Sequence, residues 1–317
     1  MKAKYLLKGV FKSIPGIEKL YNFHKSTGGT NSARYCYAVW MRHLILANEH
    51  AAKGVPRKIA ELGPGDSIGI GLSALLSGAE RYYALDVVRY TNVQCNLDIF
   101  DELTELFRAR TPIPQEAEFP NIRPALSSYD FPAHLLPAEQ LSNALAPGRV
   151  AKIRRAIENM DKEDISGDAI ISYRVPWHTD QVIEEESVDM IISQAVLQHV
   201  NDLEGTYKAM HKWLKKDGLM SHSIDLKSMG SSDRWDGHWS YSDLEWKIVK
   251  GRKNYLINRE PHSTHIRYVN ENGFRLVCDK KTVIAPTLDP GKDIARKFKS
   301  LSGEDRSTSG TFLQAIK

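Results

Sequence analysis

Hydrophobic positions recur at helical spacing from the first residues onward. Ala3, Leu6, Leu7, Val10, Phe11 and Ile14 fall on one stripe of a helix, with Lys4, Lys8 and Lys12 on an adjoining face, before Pro15-Gly16 stops it. A basic amphipathic helix of this kind either docks on the body of its protein or lies on an anionic membrane surface. Residues 17–50 keep a helical pattern, broken at Ser26-Thr27-Gly28-Gly29-Thr30-Asn31. Asn31 or Ser32 caps the helix that carries Tyr35, Val39, Trp40, Leu44 and Ile45. Residues 1–54 thus read as an N-terminal helical segment.

The period changes after Gly54-Val55-Pro56. Lys58–Leu62 is a short strand, followed by a glycine turn and a helix through Ile68, Leu72, Leu75 and Leu76 to Gly78. Arg81–Asp86 is a second strand, so the unit is βαβ and predicts a parallel sheet. The alternation lapses over about 90–165, where a helix (Asp101 to Arg110), six prolines from Pro112 to Pro137 and a helix near 149–160 predict an insertion or cap. Strands resume at Ala169–Val175 and Ser187–Ser193, then a helix at about 202–215, the turn Lys216-Asp217-Gly218 and a strand over Leu219–Leu226. Residues 227–262 are polar, aromatic and irregular, and Phe274–Val277 and Lys281–Ile284 predict closing strands. The reading is an α/β domain over 55–317, with helices before it and a helical and loop cap inserted.

Composition narrows the partners. Over 317 residues, 42% hydrophobic and 26% charged content is ordinary for a globular chain. The 43 basic and 39 acidic residues leave a net charge of +4, which argues against a nucleic-acid partner. Cys36, Cys95 and Cys278 are scattered and form no metal-spaced cluster, so neither a disulfide framework nor a metal site is expected. No apolar run reaches the ~20 residues of a spanning helix, and no signal peptide is evident. A cytoplasmic location follows, peripheral to the inner face of the membrane if the first helix binds lipid.

The candidate chemistry starts at Glu61-Leu62-Gly63-Pro64-Gly65-Asp66-Ser67. A strand, glycine turn and helix present backbone N–H groups to a nucleotide-type ligand. Ile68 occupies the third glycine position of the dinucleotide fingerprint, and the carboxylates of Glu61 and Asp66 disfavour a pyrophosphate. S-adenosylmethionine (SAM), with its sulfonium and ammonium charges, reverses that objection. Asp86, at the end of the second strand, is placed to accept from ribose hydroxyls.

The chain here resembles the class I SAM-dependent methyltransferases. IAELGPGDS, YYALD, SVDMIISQAVLQHV and WLKKDGLMSHSID stand in family order over residues 57–226. The resemblance implies a Rossmann-like sheet, with Glu61, Gly63, Gly65 and Asp86 binding SAM and Ser193 and Gln194 beside its methyl and methionine portion. Pro64, Asp66 and Ser67 complete the turn, although Ser67 stands where many members have a third glycine. Tyr173 to Trp177 is the candidate adenine side. TGGTNSARYCYAVWMRHL and SHSIDLKSM further resemble methyltransferases of bacterial surface-polysaccharide gene clusters, which implies a sugar hydroxyl as acceptor.

Methyl transfer to oxygen needs alignment and a base at the carboxyl ends of the strands. His222, Asp225 and His199 are the candidates, with His222 and Asp225 three apart and so on opposite faces of a regular strand. Each also has a structural alternative, in packing or in loop hydrogen bonding. Trp235, His238 and Trp239 combine aromatic and polar groups suited to a ring substrate, or anchor their loop on the core; Arg259, with Asn258, His262 and His265, is expected to border the same cleft. The expected function is O-methylation of a saccharide in surface glycan biosynthesis. Methylation of a small metabolite or natural product, and a catalytically silent SAM-fold scaffold, are the alternatives.

Overall fold

The computed structural model describes residues 2–13, 29–161, 170–177, 179–251 and 256–317. The helical pattern expected before residue 29 beyond Ser13, and the start of the strand expected at Ala169, lie outside the described residues.

Helices α1 (Lys2–Ser13) and α2 (Ala33–His50) precede the sheet. Ser32 caps α2, its side chain accepting from the Tyr35 N–H. Then follow β1 (Lys58–Leu62), α3 (Gly69–Ser77), β2 (Arg81–Leu85) and α4 (Val93–Arg108), the last capped by Asn92. Helices α5 (Ala138–Ala144) and α6 (Pro147–Glu158) lead to β3 (Ile171–Arg174) and β4 (Val188–Gln194). Next come α7 (Leu203–Trp213), β5 (Leu214–Asp225), α8 (Asp243–Lys250) and α9 (His262–Glu271). β6 (Arg275–Val283), α10 (Gly303–Ser307) and β7 (Thr308–Ile316) close the chain.

The seven strands of the described residues form one sheet in the order β3-β2-β1-β4-β5-β7-β6. β1 to β5 run parallel, whereas β7 lies antiparallel between β5 and β6. The order reverses between β1 and β4, and such a switch point opens a crevice at the carboxyl ends of the strands. Alternation along β1 feeds two cores. Ile59 packs on the side of α2, α3 and α4, while Ala60 and Leu62 pack on the side of α7 with Tyr207, Met210 and Trp213.

Three expectations change in detail. The region after β2 opens with α4 packed on α3 and α6, so the irregular part of the expected insertion is residues 109–137. Lys216-Asp217-Gly218 is not a turn ahead of the fifth strand: β5 starts at Leu214 and carries the irregularity within it, with Asp217 at φ 62°. Finally, α1 docks on α8 chiefly through Lys2, Tyr5, Leu6 and Gly9, so most of its apolar stripe faces outward.

The proline-rich stretch is held from below. Arg42 of α2 is almost fully buried and donates to the carbonyl oxygens of Ala38, Pro114 and Pro124 and to the Glu116 carboxylate. One guanidinium therefore satisfies the Pro114 and Pro124 carbonyls, which no helix or sheet ladder reaches.

Candidate functional site

A cleft of about 1430 Å³ opens at the carboxyl ends of β1, β2, β4 and β5, at the switch point. Leu62, Gly63, Pro64 and Gly65 form its floor on one side. Gly63 and Gly65 hold φ of 64° and 75°, the left-handed region that favours glycine. The Gly63 N–H donates to the Leu85 carbonyl at 2.7 Å, tying the turn to the end of β2. A Cβ at Gly63 would stand 2.6 Å from a Val196 methyl, so the turn has no room for a side chain. Gly63→Ala is expected to weaken SAM binding by roughly tenfold or more, through positive φ and this overlap. Isothermal titration checks it, with Gly148→Ala, which meets nothing within 4 Å, as the neutral control.

Asp86 lines the cleft from the tip of β2. Its carboxylate accepts from the N–H groups of Val87 (2.7 Å) and Gly65 (3.3 Å), which join it to the glycine turn. Burial raises its pKa and these backbone donors oppose the rise. Trp177, after β3, lines the same end and packs edge-on against Trp213, while its N–H donates to the Asp86 carbonyl. Of the residues expected on the adenine side, Trp177 is the one that reaches the cleft wall; Tyr173 is buried, with Arg89 over its ring.

The other acidic groups of the turn behave differently. Glu61 is buried beneath it on the α3 side, outside the cleft lining, and accepts a 2.5 Å hydrogen bond from the Tyr82 hydroxyl. Burial pushes its carboxyl up to about 8, so the group is mostly protonated at neutral pH in the ligand-free protein. The expected charge contact between Glu61 and a cationic ligand is therefore replaced by a buried strut to β2. The linkage has a definite sign. Because the folded pKa lies above the ordinary 4.5, Glu61 lowers stability progressively as pH rises from about 4.5 to about 8. Glu61→Gln should remove that slope and gain on the native protein by a few kcal/mol at pH 8, measured by urea unfolding at pH 5, 6.5 and 8.

Ser67 is fully buried, donating to the Thr30 carbonyl and accepting from the Gly69 N–H at 3.0 Å. It starts α3 from within and does not line the cleft. Asp66 is half-buried and also lies off the cleft lining.

The two sides of β4 and β5 separate the remaining candidates. Gln194, Ser223 and Asp225 line the cleft, joined by His199 from the turn after β4. Asp225 accepts from the Lys227 N–H at 2.9 Å and pairs with its ammonium at 3.4 Å. His199 is held low in pKa by burial, with the Leu256 backbone and the Asp225 charge opposing that shift. Ser193 and His222, by contrast, are buried and bond each other at 2.8 Å. His222 points toward the α7 and α9 side and burial pushes its pKa to about 3, so it is a core histidine with no access to the cleft. Ser193, its partner, is likewise displaced from the ligand side.

The aromatic segment after β5, expected to meet a ring substrate, packs into the protein instead. Trp239 is buried and donates to the Arg259 carbonyl, His238 is buried against the Ser228 hydroxyl, and Trp235 donates to the Ala285 carbonyl. Arg259 donates to Tyr241 and pairs with Asp243, its guanidinium between the Trp246 and Phe298 rings at 4.8 and 4.9 Å. None of these four lines the cleft; they anchor the C-terminal loops. Asn258 ties the Leu197 and Val200 carbonyls, His262 pairs with Asp279 and His265 bonds Tyr207, so all three are structural too.

Residues that the sequence pattern did not single out complete the cleft. Thr30 and Tyr35 come from the N-terminal helical segment and Asn121 from the proline-rich stretch. Tyr35 packs edge-on against Phe119, and burial pushes its hydroxyl up to about 12, with Gln194 hydrogen-bonded to it. Lys227 and Met229 stand at the β5 end. Among the described residues no group of acidic, histidine and cysteine side chains is arranged to hold a metal.

Comparison with known proteins bears on this architecture. Residues 136–221 match the family model of a methyltransferase domain. No curated protein matches the chain. Among solved structures, a SAM-dependent methyltransferase from Mesorhizobium loti is 15% identical, with a TM-score of 0.40 over 83% of this chain and 92% of its own. Phosphoethanolamine N-methyltransferase 2 of Haemonchus contortus is 13% identical, with a TM-score of 0.42 over 98% of this chain and 57% of its own. A geranyl diphosphate methyltransferase is 11% identical, with a TM-score of 0.44 over 90% and 84%. The matched segment runs from the last part of the proline-rich stretch through β3 and β4 into β5, and the strand order encloses it. Residues 136–221 are thus similar to a methyltransferase domain, and they lie in a Rossmann-like sheet whose glycine turn faces an acidic strand tip across the switch point.

Proposed function

We propose that the protein is a SAM-dependent O-methyltransferase acting on a saccharide hydroxyl, in the biosynthesis of a surface glycan. SAM fits the cleft's own chemistry. Gly63 and Gly65 hold the turn in a left-handed conformation that lays its backbone along the cleft, and the Asp86 carboxylate faces the same space with acceptor capacity for ribose hydroxyls. The cofactor supplies a methyl group already activated by positive sulfur. Trp177 covers the adenine end, and Gln194 with Tyr35 stands over the β4 side.

One observation carries the assignment of chemistry: His199 and Asp225, at the ends of adjacent strands, line the cleft together while His222 does not. His199 accepts the acceptor's proton at a ring nitrogen, and Asp225 favours the imidazolium that results. Lys227 holds Asp225 in place through its N–H and its ammonium. The acceptor reading rests on the polar lining of this end by Tyr35, Gln194, Ser223, Asp225 and Lys227, groups suited to a polyol. The volume, above the usual 300–1,000 Å³ of a single-ligand pocket, leaves room for an acceptor beside the cofactor. Exposed Val87 and Met229 at the rim favour an apolar metabolite as the second reading. A cytoplasmic enzyme working at the inner face of a membrane, through α1, belongs to the same proposal.

Incubation with methyl-labelled SAM and separate sets of nucleotide sugars, oligosaccharides, small phenols and RNA tests it. Label in a sugar fraction is the expected outcome. Transfer only to RNA or only to phenols would reject the saccharide, and absence of SAM binding by calorimetry would reject the enzyme.

A further inference from the structure

We infer that α1 is a membrane-docking face that takes an anionic lipid surface, and that it sets the acceptor end of the cleft beside the bilayer. The inference deepens the peripheral-membrane part of the proposed function and is independent of the cofactor.

The argument starts at Gly9. A Cβ there would strike the Ile248 carbonyl oxygen, so only glycine lets α1 pack closely against α8. Lys2 reaches the Ser240 carbonyl and the Glu245 carboxylate, and the Tyr5 hydroxyl donates to Asp233 at 2.6 Å. Tyr5 and Leu6 join the cluster of Tyr241, Trp246 and Val249. These contacts fix the rotation of α1 about its own axis.

With that rotation fixed, the opposite side is apolar and, among the described residues, exposed. Leu7, Val10 and Phe11 are 60%, 51% and 61% exposed, on one stripe with exposed Ala3. Leu244, on the helix against which α1 packs, is 71% exposed. Three of the described helix's large apolar side chains pointing at water is an arrangement that water alone does not favour. The charge decides the occupant. The α1 sequence holds four lysines and no acidic residue, and Lys4 and Lys8 are exposed beside the stripe. An apolar stripe edged by cations matches the boundary between anionic headgroups and acyl chains. A partner protein with a purely apolar groove would offer no opposite charge to Lys8, whereas Lys4 already shares Asp233.

Position ties this face to the cleft. Tyr5 and Lys4 both engage Asp233, in the loop that leaves the cleft wall at Lys227 and Met229. A bilayer on α1 thus borders the end of the cleft assigned to the acceptor, as suits a glycan whose carrier is held in the membrane.

The test is flotation of the full chain with vesicles of phosphatidylcholine alone and of phosphatidylcholine with phosphatidylglycerol. Binding is expected only to the anionic vesicles, falling steeply between 50 and 500 mM salt as screening shortens to ~5 Å or less. The double variants Leu7→Ser/Phe11→Ser and Lys4→Glu/Lys8→Glu should each lower partitioning by roughly tenfold or more. SAM titration and the circular dichroism spectrum of each variant should match the native protein, which separates loss of docking from loss of fold. Native protein that stays off anionic vesicles, or variants that float as well as it does, would overturn the inference. A dimer in analytical ultracentrifugation that Leu7→Ser/Phe11→Ser dissociates, without vesicle binding, would assign the stripe to a second copy instead. Failure of SAM to bind while vesicle docking persists would count against the proposed function and leave this inference standing.

Discussion

Asp86→Ala will lower SAM affinity by roughly 100-fold or more. Two effects act in the same direction. In the proposed binding mode the carboxylate at the β2 tip accepts from ribose hydroxyls, and hydrogen bonds to an ionised acceptor contribute about 1.5–3 kcal/mol each. It also accepts from the Gly65 and Val87 N–H groups, so its removal loosens the turn that floors the cleft. Calorimetric titration of SAM into native and variant protein measures the loss, with a thermal melt to establish that the variant is folded. Asp86→Asn should fall between the two, because its amide oxygen still accepts from Val87 while its NH₂ opposes the Gly65 donor. A folded Asp86→Ala variant that binds SAM within threefold of native would remove Asp86 from the site.

His199→Ala is expected to cut kcat by roughly 10²–10⁴ while leaving SAM affinity within about threefold, the signature of lost proton transfer. His222→Ala should act differently: it removes a core imidazole bonded to Ser193, so it lowers the melting temperature and leaves the base in place. The pH profile adds a readout that packing alone does not give. Burial lowers the His199 pKa below 6.5, so the neutral base is fully present at pH 7 and is lost only as pH falls through that lowered value. Activity should accordingly be flat from pH 7 upward and fall on the acid side. Asp225→Asn removes the charge that supports the imidazolium, so the acid limb should move to still lower pH as kcat drops. An acid limb untouched by both substitutions would assign proton removal to another group or to solvent.

Much of this architecture is legible in the sequence because it depends on local pattern. The period change at Lys58, the glycine turn and the acidic strand tip each follow from short stretches of chain, and the sheet contains them at the expected places. Strand parity already puts His222 and Asp225 on opposite faces; which face opens on the cleft is a tertiary fact, decided by where α7 and α9 pack. The segment around Trp235 to Trp239 has the same composition whether it faces a ligand or braces a loop. Only the Trp239–Arg259 and His238–Ser228 bonds distinguish these. Tyr35 and Asn121 carry no local mark at all, since they reach the cleft through the packing of segments distant in sequence. Glu61 was readable as an acid at a strand end, but its protonation depends on complete burial beside Tyr82, which no spacing conveys.

The Arg42 anchor bears on how this enzyme can diversify. Residues 112–124 have almost no regular structure of their own, and their carbonyls lean on one guanidinium from α2, the helix that also carries Tyr35. Cleft-side Asn121 and Tyr35 are thus coupled parts of a single cooperative cover. A relative with a different acceptor would have to exchange the helix and the loop as a pair, because grafting either alone would strand a buried cation or a set of carbonyl oxygens. On this reading, the cleft cover formed by α2 and the 112–124 stretch changes as a pair of segments far apart in sequence, and not one loop at a time.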